Sequence, residues 1–238
     1  MSEALNLLIG CDPEVFLRNK KTGLFESAGG RFPGTKDKPH KVDKGAIQVD
    51  GLALEFNIEP AEDEEEFSNN IETVKAQLLE EVLKVDKDLE LVFVPFATFP
   101  NDYFKKIPKE YKVLGCDADF SCVNGSKNSS PSIQEIPIRT AAGHVHIGYT
   151  ENENVTGAEH KEDCRFIANW FHICKTRFYP NTVEEHRRLQ HYGFNGAFRP
   201  KSYGVELREF SNLWVRTPEN QKKMFRMLIS GMKKINGE

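Results

Sequence analysis

The sequence has no large excess of charge of either sign. Its 32 Lys and Arg stand against 36 Asp and Glu, a formal net charge of -4. Nucleic-acid binders usually gather a basic excess on one face, so that class is not expected. Long apolar runs are also missing: none approaches the ~20 residues of a membrane-spanning helix, and no membrane role is expected. Met1-Ser2-Glu3-Ala4 carries no basic stretch, so a secretory signal is not expected either. Cysteine is sparse. The five residues are an odd number without CxxC spacing and read as reduced thiols of a cytoplasmic chain. A zinc site from His160, Cys164, His172 and Cys174 is disfavoured, because those spacings match no common finger. Repeats, low-complexity tracts and Pro/Ser-rich linkers are absent, so residues 1–238 read as one domain. Hydrophobic residues at 39% are enough for a real core.

What is present begins with strands. Leu5 to Gly10 leads into Asp12-Pro13-Glu14-Val15-Phe16-Leu17, a buried strand that turns at Asn19 to Gly23. Gly29 to Lys44 is rich in Gly, Pro, Lys and Asp without a period, and reads as a loop. Residues 46–60, Leu89 to Phe99, Arg139 to Tyr149 and Tyr203 to Phe210 are strand-like, while Cys116 to Ser132 is loop-like. An acidic run, Glu62 to Glu66, precedes a helix to about Val85, with Ile71, Val74, Leu78, Leu79, Val82 and Leu83 on one stripe. Those acids suit the positive end of a helix. Glu162 to Phe178 has helical spacing. The last helix takes Thr217 as its N-cap, with Pro218 in its first turn. A few long helices among many strands predict an α+β protein with a largely antiparallel sheet, and too few helices for an eightfold βα barrel.

The chemistry lies in polar residues that recur at a spacing of two inside those strands. Asp12 and Glu14 share a face; so do Glu55, Asn57 and Glu59, His144 and His146, and Glu206 and Arg208. Any half-exposed antiparallel strand alternates in this way. Solvated faces, however, favour Lys and Thr, whereas these are the side chains that hard divalent cations accept as ligands. An arginine beside them suits phosphate, whose oxygens its planar fork matches. The set describes a sheet-lined pocket for metal ions and a polyphosphate.

Gly10-Cys11-Asp12-Pro13-Glu14-Val15-Phe16 resembles the Glu-Pro-Glu strand of glutamine synthetases. Gly143-His144-Val145-His146 is similar to their Gly-x-His-x-His segment, and Gly204-Val205-Glu206-Leu207-Arg208 to their Glu-x-Arg strand, in the same order. With Gly34-Thr35-Lys36 and Asp50 to Asn57 added, the set resembles carboxylate–amine ligases (amidoligases) of tailed bacteriophages and some bacteria, over residues 8 to 212. The resemblance implies the catalytic fold shared by glutamine synthetase and glutamate–cysteine ligase: an antiparallel sheet lining a pocket, with helices on its outer face. It implies ATP and Mg2+, or Mn2+, as cofactors, and a carboxylate and an amine, small molecules or peptides, as substrates. A homo-oligomer is compatible with it, and a phage protein would work in the host cytoplasm. Asp12, Glu14, Glu55, His144 and Glu206 would be metal ligands, Glu14 and Glu55 on the acceptor side and the others beside ATP. His146 and Arg208 would face the transferring phosphoryl group, and Arg199, Arg139 and Lys36 would contact phosphate or a substrate carboxylate. Glu59 or Glu209 would serve as the base, and Asp117 and Asp119 would recognise the amine or form a plain turn.

Two departures stand out. Asp12 replaces a longer Glu, and the chain is shorter than a typical synthetase, so that family's oligomer does not carry over. Two rival readings are open: a metal-dependent hydrolase using the His144-x-His146 pair, and a non-catalytic virion or scaffold protein on the same fold.

Overall fold

The computed structural model describes residues 6–113, 119–129, 135–152, 154–174, 182–194 and 196–237. The expectations placed on Cys116 and Asp117 lie outside them. The first strand is β1 (Leu8–Asn19), followed by β2 (Phe25–Glu26), β3 (His40–Val42), β4 (Gly45–Asp50) and β5 (Ala53–Ile58). The long helix α1 (Glu64–Val85) leads to β6 (Leu89–Val92) and β7 (Phe96–Thr98), and then to short helices α2 (Asn101–Lys106) and α3 (Lys109–Lys112). After β8 (Ile138–Thr140) and β9 (Gly143–Gly148) come α4 (Ala158–Cys174) and α5 (Val183–Leu189). The chain continues through β10 (Phe198–Lys201), β11 (Gly204–Leu207) and a 3-10 helix (Asn212–Arg216), and ends with α6 (Pro218–Ile235).

Seven strands run in the order β10-β11-β9-β1-β5-β4-β3, and β2 and β6 extend the other half of β1. Every strand pairing described is antiparallel, which makes the protein α+β as the pattern predicts. Alternation sorts β1 into two faces. Ile9, Cys11, Val15 and Leu17 join a core with Phe67, Ile71, Val74, Leu78 and Val82 of α1, Ile167 and Phe171 of α4, and Met224, Phe225 and Leu228 of α6. Asp12 and Glu14 point the other way. Phe16, on their side, belongs to a second apolar cluster with Leu52, Phe99, Phe104 and Ala141, which closes one end of that face. Phe67 is fully buried, stacked on Trp214 with ring centroids 5.8 Å apart and tilted against Phe225 at 5.6 Å. Truncating a side chain so placed costs ~3–5 kcal/mol.

Helix ends follow the local chemistry. Asp63 caps α1 by accepting from the Glu66 amide at 2.8 Å, and Thr217 caps α6 by accepting from the Asn220 amide at 3.3 Å. Of the expected α1 stripe, Ile71, Val74, Leu78 and Val82 are buried, but Leu79 and Leu83 lie at its exposed edge. Three expected strands are each two elements. Residues 46–60 fold back as the β4–β5 hairpin at Gly51, whose φ of 58° suits glycine. Leu89 to Phe99 breaks before Pro95, and Arg139 to Tyr149 breaks at Ala141-Ala142. In both cases the detached piece, β7 or β8, pairs in a separate two-stranded sheet. The loop expected between Gly29 and Lys44 contains β3, and β11 ends at Leu207 rather than Phe210. Among the described residues, no helix is long and apolar enough to cross a membrane.

Candidate metal and anion site

Register brings the polar faces together. Asp12 lies opposite His144 on β9, Glu14 opposite Glu55 on β5, and Gln48 opposite Glu55 from β4. His146 lies opposite Glu206 on β11, which in turn faces Arg199 on β10. The motif glycines allow this close pairing. A Cβ on Gly143 would stand 2.6 Å from the Ser211 carbonyl oxygen and 2.7 Å from the Trp214 indole nitrogen. Gly204 has φ of 145°, and a Cβ there would meet the Ile147 carbonyl oxygen at 2.1 Å.

Two groups of potential cation ligands result. In one, Asp12, His144 and Glu206 offer atoms within 4.8 Å of one another; in the other, Glu14, Asp50 and Glu55 do the same. Asp12 Oδ1 stands 3.3 Å from His144 Nδ1 and 3.0 Å from His146 Nε2. Even so, Asp12 Oδ1 and His144 Nδ1 are buried without a well-aligned hydrogen bond. Buried acceptors left in that condition are costly, and a cation would satisfy both. In the second group Glu14 accepts from the Ala142 amide and Glu55 from the Gln48 side chain, both at 2.9 Å. Neither contact neutralises a charge. Both donor sets, two carboxylates with an imidazole in the first and three carboxylates in the second, fit a hard divalent ion.

Protonation follows this geometry. Burial and the Asp50 charge push Glu14 up to about 8. Burial, then Asp12, Asp50 and Glu14, hold Glu55 well above the usual carboxylate range, and burial raises Asp50. The other group goes the opposite way. Burial works to raise Asp12 and Glu206, but His146 and His144 outweigh it at Asp12, and Arg208 with the two imidazoles outweighs it at Glu206. Both acids therefore stay ionised. Burial and Arg208 push His144 down to about 4, leaving a neutral ring able to act as a ligand.

Cations surround Glu206, which is fully buried. Its Oε2 lies 2.9 Å from Lys201 Nζ and 3.2 Å from Arg199 Nη1, and its Oε1 accepts from Arg208 Nη1. Arg208 is held in turn by Asp119 Oδ2 at 3.1 Å and by the Tyr192 hydroxyl, which also sits 3.2 Å from His144 Nε2. Asn128 donates to Asp119 at 2.9 Å. His146 Nδ1 lies 2.5 Å from the Tyr203 hydroxyl. Beside Asp12, Glu55 and His146 opens a cleft of about 380 Å³, whose walls include Leu8, Ile58, Pro60 and Tyr203, a volume adequate for a small-molecule ligand.

The structure thus gathers Asp12, Glu14, Glu55, His144, His146, Glu206, Arg208 and Arg199, and Lys36 lies within electrostatic reach of Asp50. Arg139 is not with them. Its buried guanidinium donates to the carbonyls of Ile136, Ile138 and Lys112, because β8 has left the main sheet. Glu59 follows the last residue of β5 and is exposed 3.5 Å from Lys44, while Glu209 bonds His172 of α4 at 2.9 Å. Neither belongs to the two groups of potential ligands. His160 Nε2 contacts the Lys201 carbonyl oxygen at 2.9 Å and Cys164 Sγ at 3.7 Å, whereas His172 turns to Glu209, so the four residues of the disfavoured zinc set do not share one centre. Sequence reasoning missed Asp50, Lys201, Tyr192 and Tyr203. The period of two in Gln48-Val49-Asp50 was a usable signal for Asp50; Tyr192 and Tyr203, outside any strand, had none.

No protein-family model matches the sequence, and no curated protein matches it. Among solved structures, the chain is similar to one described as a novel glutamine synthase homolog, with TM-score 0.45 and 13% identity. The match covers 97% of this chain and 55% of that one, so the chain spans about half that protein's length.

Proposed function

We propose that this chain is an ATP- and magnesium-dependent ligase that joins a carboxylate to an amine through an acyl phosphate. One observation carries the reading: two triads of potential metal ligands share a sheet face, and Arg199, Lys201 and Arg208 converge on one of them. Handling a polyphosphate calls for that pairing of metal ligands with fixed cations. Magnesium or manganese held by Asp12, His144 and Glu206, and by Glu14, Asp50 and Glu55, would neutralise charge on the phosphates and on the acid.

In the proposed reaction a carboxylate oxygen attacks the terminal phosphorus of ATP and ADP departs. The amine then attacks the acyl carbon, phosphate leaves, and the surplus proton passes to a base. Arg208, held by Asp119 and Tyr192, fixes Glu206 with its planar fork and places a permanent positive charge beside the phosphate site. His146, held between Asp12 and Tyr203, lines the cleft beside it. A covalent route through Cys11, which also lines the cleft, is disfavoured because burial and the adjacent Asp12 push its thiol well up.

The test is a screen of amino acids and short peptides with ATP, magnesium and hydroxylamine. A hydroxamate with equal ADP and phosphate is expected. AMP and pyrophosphate would mean an acyl adenylate. Amide hydrolysis without ATP would favour the hydrolase built on the His pair, and no binding of ATP at all would favour the non-catalytic scaffold.

A further inference from the structure

Glu206 sits where an anion belongs. One carboxylate oxygen faces Arg208, the other faces Lys201, Arg199 reaches both, and His144 Nδ1 stands 3.7 Å from Oε1. The same carboxylate completes the triad with Asp12 and His144. It cannot serve both roles fully, because a divalent ion bound to it at ~2 Å would meet the field of those side-chain cations. The triad is accordingly uneven. Asp12 Oδ1 and His144 Nδ1 are buried without a well-formed hydrogen bond, while Glu206 is fully engaged. The cations differ as well. Arg208 has a side chain only 5% exposed, tied to Asp119 and Tyr192, whereas Arg199 and Lys201, on the edge strand β10, are 19% and 30% exposed.

From this asymmetry we infer that Glu206 is an internal stand-in for polyphosphate, which Arg199 and Lys201 exchange for phosphate oxygens, releasing Glu206 to the divalent cation. The inference rests on the ligase reading and adds Lys201 to its anion-binding residues. It makes metal and polyphosphate reciprocal partners, since each removes the other's competitor. Arg208 does not take part in the exchange and keeps the carboxylate in place while its other contacts change.

Calorimetric titration with sodium tripolyphosphate, first in EDTA and then in magnesium, tests the exchange on the full chain. Wild type should bind the anion weakly without metal. Glu206→Gln removes the internal anion but keeps its shape, so metal-free affinity should rise at least about tenfold and lose its dependence on magnesium. Lys201→Met should tighten Mg2+ alone several-fold and weaken tripolyphosphate in its presence. Unchanged metal-free affinity in folded Glu206→Gln overturns the inference. Should circular dichroism show that variant unfolded, unchanged Mg2+ affinity in Lys201→Met overturns it instead. A wild type that makes hydroxamate while its variants show neither shift keeps the ligase reading and loses the exchange. A wild type that binds neither ATP nor tripolyphosphate loses both.

Discussion

Raising the pH of the metal-free protein from about 6.5 to about 8 should destabilise it, and magnesium should remove that loss. An unfolded glutamate titrates near 4.5, whereas Glu14 in the fold is pushed up to about 8 by burial and by Asp50. The fold therefore keeps a proton that the unfolded chain has already released. The stability tied to that proton is complete below the unfolded value and disappears as pH climbs through the folded one. Glu55 and Asp50, both raised by burial, act in the same direction, and so does His146, which burial lowers but Asp12 raises above its ordinary value. Asp12 and Glu206 are held below the usual carboxylate range and have finished titrating before this window opens. His144, at about 4, is already neutral in the fold.

One retained proton is worth about 1.4 kcal/mol per pH unit, so Glu14 alone contributes about 2 kcal/mol across the window. For a chain of this length that lowers Tm by about 4 to 8 °C. Scanning calorimetry across the window in EDTA and in saturating magnesium measures the effect. With the ion bound the acids remain charged and paired, so stability should rise and the downward slope should disappear. Glu14→Gln should flatten the metal-free slope by about one proton's worth. Equal slopes with and without magnesium, or an unaltered slope in Glu14→Gln, would refute the argument that these carboxyls face a cation site.

Arg208→Lys keeps the charge but loses the fork that meets Glu206, Asp119 and Tyr192; hydroxamate formation should fall ~100-fold, and an unchanged rate removes Arg208 from phosphoryl transfer. Gly143→Ala drives a methyl against the Ser211 carbonyl and the Trp214 indole; urea denaturation should show a loss of ~1–3 kcal/mol, and an unmoved midpoint would contradict the close approach. Thr217→Ala removes the oxygen that caps α6; a loss of ~1 kcal/mol is expected, read as a fall in Tm of about 2–4 °C.

The parts of the fold legible in the sequence are those whose local chemistry points one way. Thr217-Pro218 starts α6 because a hydroxyl cap and a preset φ favour the same turn. Asp63 and the acids after it start α1. Strand alternation identified the polar face of β1, β5, β9 and β11, because Asp, Glu and His at a period of two have no place in a core. Strand ends were much less legible. Arg139 precedes the His pair by only a few residues, but Ala141-Ala142 turns β8 into a different sheet and takes the arginine with it. Glu59 continues the alternation of Glu55 and Asn57, yet β5 stops at Ile58 and leaves Glu59 in solvent.

Glu209 shows how the alternation argument corrects itself. A period of two that puts Glu206 and Arg208 on the polar face puts Glu209 on the helix side, where it meets His172. The same parity turns it away from the face where a base would work. Residues that the sequence did not single out do a different job from those it did. Arg188, wholly buried, donates to the carbonyls of Arg208, Glu209 and Phe210 and so shapes the segment where β11 has ended. Tyr192 joins Arg208 to His144, and Tyr203 holds His146. None of these lies on a strand of the main sheet, so no period marks them. Ligand candidates repeat along strands because a sheet face must collect several of them. The groups that orient them are drawn singly from turns and short helices, and only the assembled fold brings the two sets together.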